Sequence, residues 1–64
     1  MTAGQKVKKY LTERGIMQSW LAKKIGMSNS EMSDILAGKK EFRIDKYLLA
    51  CEALGKNPAC FTKK

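Results

Sequence analysis

The stretch QSWLAKKIGMSNSEMSDILA, Gln18 to Ala37, decides how this chain folds. It divides into two short helical segments that meet at Gly26 with almost no connection between them. In the first segment Leu21, Ala22 and Ile25 recur at helical spacing and face one way; in the second Met32, Ile35 and Leu36 do the same. Two helices that cross so closely need a small residue at the crossing, and Ala22 supplies it. The abrupt turn needs a residue that accepts positive φ, and Gly26 has no Cβ to clash there. Met27 adds an apolar residue to the buried side of the turn. Ser28 followed three residues later by Glu31 is the pattern of a capping box, which marks Ser28 as the start of the second segment and accounts for Glu31. These features together describe a helix-turn-helix over residues 18–37.

The flanks continue in the same period. Upstream, a helix is expected from about Gln5 to Arg14, with Val7, Tyr10 and Leu11 inward and Lys6, Lys8 and Lys9 in water. Gly15 ends it and Ile16 folds back onto the core. Downstream, Gly38 closes the motif, a basic loop runs Lys39 to Arg43, and a fourth helix is expected over Ile44 to Leu54. Its apolar face is read as Ile44, Tyr47, Leu48, Cys51 and Leu54, with Gly55 closing it. Asn57 before Pro58 reads as the cap and first position of a short last helix, whose Ala59, Cys60 and Phe61 plug the open end of the core. The expected fold class is therefore all-α, a bundle of about five short helices forming a single domain over residues 1–64.

Composition narrows what such a domain can do. Thirteen Lys and Arg against six Asp and Glu give 64 residues a net charge of +7, which suits a polyanionic partner, nucleic acid first. The chain has no His, hence no usual general base and no commonest metal ligand, and no nucleophile–base pair is visible. No enzymatic activity, cofactor or metal site is expected. Cys51 and Cys60 have neither a His nor a second Cys pair beside them, so they are read as small core residues rather than zinc ligands. No segment has the apolar length of a membrane span, nor the N-terminus the apolar core of a signal peptide, and an intracellular protein is expected.

The spacing of Gln18, Ala22, Gly26, Met27, Met32, Ile35 and Gly38, with Arg14-Gly15-Ile16 before and Ala53-Leu54-Gly55 after, resembles the phage-repressor and Cro-like (lambda repressor-like) helix-turn-helix family. The resemblance covers about Val7 to Phe61. It implies double-stranded DNA binding, with the helix that starts at Ser28 in the major groove. The outward residues of that helix are Ser28, Asn29, Ser30, Ser33, Asp34 and Ala37. Asn29, Ser30, Ser33 and Asp34 are the base-reading candidates: an Asn amide pairs with adenine in bidentate fashion, while a Ser hydroxyl discriminates less. For Asp34 three readings stand: acceptance from cytosine, repulsion of wrong placements, or a salt bridge to Lys39 or another nearby cation. Phosphate contacts are carried to Gln18 and Ser28 on one side and to Lys39, Lys40 and Arg43 on the other, with Lys23 and Lys24 as weaker candidates. By this resemblance the chain is a transcriptional regulator, a repressor of phage or bacterial type acting in the cytoplasm at the nucleoid. It would bind a pseudo-palindromic operator as a homodimer, through a contact at Pro58 to Lys64 anchored by Phe61. The rival reading is an antitoxin-like protein-interaction module with secondary DNA binding, anchored by Trp20 and Phe61.

The chain departs from the family in four places. Where many members pair a buried Arg and Glu, it carries Leu11 and Leu36, an apolar replacement consistent at both ends. Met17 stands where a capping Ser, Thr or Asn is usual, which forgoes about 1 kcal/mol of capping. The loop Lys39 to Arg43 lacks the usual Pro. Trp20 projects away from the Leu21–Ala22–Ile25 stripe, either as a contact surface or lying over Lys24 and the first helix.

Overall fold

The computed structural model describes residues 2–61. Among them the chain forms α1 (Ala3–Arg14), α2 (Gln18–Ile25), α3 (Asn29–Leu36) and α4 (Ile44–Leu54), and ends in a single 3-10 turn, Pro58–Cys60, in place of a fifth α-helix. There is no strand among the described residues, and no helix is long and apolar enough to cross a membrane.

The start of α1 lies two residues ahead of the expected Gln5, and side-chain chemistry explains it. The Gln5 N–H donates to Thr2 Oγ1 at 3.2 Å, and the Thr2 N–H donates to Gln5 Oε1 at 3.0 Å, so a reciprocal capping box fixes the first turn. The turn includes Gly4, a poor helix former that a propensity reading places outside a helix. At the Ser28 site only half of the expected box exists. Ser28 Oγ accepts from the Glu31 N–H at 3.2 Å, while the Glu31 carboxylate makes no return bond and stays exposed.

The core gathers Val7 and Leu11 of α1, Leu21, Ala22 and Ile25 of α2, Met32 and Leu36 of α3, Tyr47, Ala50 and Cys51 of α4, and Phe61. Leu11 and Leu36 both join it, so the apolar pair fills the space a buried ion pair would otherwise take. Tyr10, Phe42, Tyr47 and Phe61 meet edge to face, with ring centroids 5.4–6.4 Å apart along the chain of contacts. The Tyr47 hydroxyl donates to the Pro58 carbonyl, which ties the last turn to α4.

Three expectations at the C-terminal end are corrected. The buried face of α4 is Tyr47, Ala50 and Cys51, with Leu54 at its margin; Ile44 and Leu48 point outward at 69% and 45% exposure. Tyr47, Cys51 and Leu54 lie inward as expected, and Ala50 takes the inner place expected for Ile44 and Leu48, because α4 has apolar residues on two sides and periodicity alone cannot choose between them. Cys60 is exposed, and only Cys51 lies in the core, where burial pushes its thiol pKa up. Phe61 plugs the core as expected, but at 4% exposure it has no surface left to anchor a dimer. The rest of the expected dimer segment, residues 62–64, lies outside the described residues.

Candidate nucleic-acid interface

The turn between α2 and α3 is built from backbone. Gly26 closes α2 at φ 73°, a left-handed conformation. The Met27 N–H then reaches the Ala22 carbonyl at 2.8 Å and the Gly26 N–H reaches that of Lys23 at 3.4 Å, so two otherwise unpartnered carbonyls are satisfied. Lys46 adds a bond from α4: its Nζ donates to the Ile25 carbonyl at 3.2 Å. A cation over the last carbonyls of a helix also meets the negative end of its dipole. Sequence reasoning gave Lys46 no role, since nothing local to α4 points to a carbonyl 21 residues away.

This frame decides which side of α3 is wet. Met32, Ile35 and Leu36 are buried at 3% exposure or less. Asn29, Ser30 and Ser33 are exposed, and Asp34 is half-buried on the same side. The four base-reading candidates therefore share one outward face. Of the readings left open for Asp34, the salt bridge is not formed: no cation lies in ion-pair range of its carboxylate among the described residues. Its backbone carbonyl is engaged instead, accepting from the N–H groups of Lys39 and Lys40 at 2.9 and 3.3 Å. Those bonds fold the basic loop back over the end of α3.

The phosphate candidates flank this face in sequence on both sides. Gln18, half-buried, opens α2 after Met17, which makes no side-chain cap, as expected. The Trp20 N–H turns back to the Met17 carbonyl at 3.1 Å, and the Gln18 and Ser19 N–H groups ahead of it are left open to an outside acceptor. Ser28 uses its oxygen lone pair on the Glu31 N–H, and its hydroxyl proton remains available to a phosphate oxygen. Lys39 and Lys40 are exposed, and neither ammonium has a partner among the described residues. Arg43 is exposed too, and its Nε lies 3.6 Å from Asp45 Oδ1. Both groups are well hydrated, so the pair is weak and easily exchanged.

Three other cations lie over aromatic rings. Arg14 and Lys56 each sit 5.2 Å from the Tyr10 ring centroid, and Lys24 Nζ lies 5.6 Å from that of Trp20. Trp20 thus carries Lys24 on its ring, the Lys24 half of the arrangement over Lys24 and the first helix, while keeping 42% exposure beside Met17 and Ile16.

No curated protein and no solved structure matches the chain. A family model described as helix-turn-helix matches residues 7–59, well over half its length. The chain therefore belongs to the helix-turn-helix family of phage-repressor and Cro-like kind, a family of DNA-binding, transcription-regulator-like domains.

Proposed function

We propose that the chain, as one domain, is a sequence-specific repressor that reads the major groove of double-stranded DNA with α3. The observation that carries this reading is the outward face of Asn29, Ser30, Ser33 and Asp34 on a helix whose other side is wholly buried. Asn29 and Ser30 lie at the N-terminal end of α3, the end that enters the groove in helix-turn-helix docking. Asn29 reads adenine, the serines add hydrogen bonds, and Asp34, free of an internal cation, accepts from cytosine or repels wrong placements. Gln18, Ser28, Lys39, Lys40 and Arg43 hold the backbone phosphates on either side.

So small a recognition surface calls for pairing. In this reading the chain acts as a homodimer on a pseudo-palindromic operator, with half-sites about 34 Å apart, in the cytoplasm at the nucleoid. With Phe61 buried, the apolar surface that supports pairing is Ile44 and Leu48 on α4. Asp45 and Glu52 on the same helix reduce the repulsion between two chains of charge +7. The interaction-module reading keeps Trp20 but loses Phe61 as an anchor, and no further observation favours it.

Selection of bound duplexes from a random pool tests the proposal. The expected result is two related half-sites in inverted order, centred about one helical turn apart. Recovery of unrelated sequences would overturn it.

A further inference from the structure

We propose that Gln5 is a positioning residue for α3: from the start of α1 it fixes how the recognition helix is seated. The inference rests on the DNA-reading role of α3 and adds to it a residue that touches no DNA.

The last carbonyl after α3, that of Ala37, cannot find a partner within its own helix. Gln5 Nε2 donates to it at 3.3 Å, across 32 residues of sequence. The amide that does so is held on its other side, because Gln5 Oε1 accepts from the Thr2 N–H in the α1 capping box. One side chain therefore caps the start of α1 and the end of α3 at once. Two glycines make the junction possible, Gly38 beside this side chain and Gly4 where the helices meet. A Cβ on Gly38, which sits at φ 83°, would lie 2.8 Å from Gln5 Nε2. A Cβ on Gly4 would lie 2.1 Å from the Ile35 carbonyl oxygen and 2.9 Å from its carbon, so α1 meets α3 backbone to backbone. No flexible side chain intervenes to absorb an error. The junction also adjoins the loop that starts at Lys39, so a shift there moves both the base-reading face and a phosphate-holding segment. A recognition group needs its position held within about 0.5 Å; a helix seated on backbone contact and a doubly held amide meets that need.

The two hydrogen bonds of Gln5 separate by substitution. Gln5→Glu keeps the acceptor for Thr2 and loses the donor for Ala37; Gln5→Lys keeps a donor and loses the acceptor. Both change charge, so the readout is the ratio of affinities for the selected duplex and an unrelated duplex at one salt concentration. Positioning predicts that Gln5→Glu lowers this ratio about fivefold to tenfold, the scale of one misread base pair. It should do so with an unchanged melting temperature and with altered amide shifts at Ala37, Gly38 and Lys39 in the free protein. Gln5→Lys should keep the ratio within about twofold of wild type. The reverse pattern, with Gln5→Glu neutral in ratio and shifts and Gln5→Lys impaired, would reduce Gln5 to a helix cap and overturn the proposal. A wild-type chain with no preference for any duplex would instead remove the DNA-reading role on which it rests, with the amide shifts still reporting the tie. Gly4→Ala should disturb the same shifts more strongly; wild-type shifts in that variant would also count against the junction.

Discussion

α3 and α4 are packed against the same core but spend their apolar residues differently. Every large hydrophobic side chain of α3 is buried, and what remains outside is polar or small. α4 buries Tyr47, Ala50 and Cys51 and leaves Ile44, Leu48 and Leu49 at 45% exposure or more. An amphipathic helix with a clean polar face has finished its structural work and offers hydrogen-bonding groups to something polar. A helix with apolar residues on its outer face offers shape and dehydration instead, the currency of protein contacts. In the proposed function the first meets base edges and the second meets another copy of the chain.

The largest way to break this comparison is through the buried side of α3. Met32 is fully buried, and Met32→Ala should cost about 2–5 kcal/mol, enough to unfold much of so small a domain near its working temperature. Ile44→Ala on the exposed side of α4 should stay within about 0.5 kcal/mol of wild type. Thermal or urea melts check both. Equal losses would mean that α4 is packed as tightly as α3.

Helix starts sharpen the comparison at a smaller scale. Ser28→Ala removes the bond to the Glu31 N–H and should cost about 1 kcal/mol. Met17→Asn gives α2 a capping oxygen where none exists and should add stability of similar size. Melting curves of the two variants should move in opposite directions. Leu48→Ser is expected to leave stability within about 0.5 kcal/mol while weakening binding to a two-half-site duplex more than to a single half-site. Equal loss on both duplexes would place the pairing surface elsewhere. At the smallest scale, a thiol reagent should label Cys60 in the native protein and reach Cys51 only after unfolding, because burial both shields that thiol and raises its pKa.

Much of this architecture was readable along the chain, for local reasons. The Gly26 turn, the inward stripes of α2 and α3, the Ser28 cap and the uncapped Met17 all depend on residues within four positions of one another. What escaped reading depends on partners far away. Gly4 looks like a helix breaker until α3 is known to lie against it. Gln5 looks like an ordinary surface amide until Ala37 arrives, and Lys46 looks like solvated charge until Ile25 does. In α4 Ala50 takes the inner place expected for Leu48, since both are apolar and only packing shows that the smaller residue is the buried one. The common outward side of Asn29, Ser30, Ser33 and Asp34 is legible too, because it follows from the buried stripe opposite.

Three loop cations, Lys39, Lys40 and Arg43, imply a log–log salt slope near −2.7 per chain, and Lys23 and Lys24 would bring it to about −4.5. Lys40→Ala should weaken all duplexes alike and flatten the slope by about 0.9. The most direct test of the central claim is the base preference of Asn29→Ala on the duplex that wild type selects. Wild type is expected to lose about 1–3 kcal/mol when one particular base pair is changed, and the variant to distinguish that pair no longer. A variant that keeps the wild-type preference at every position would contradict the assignment of base reading to the outward face of α3.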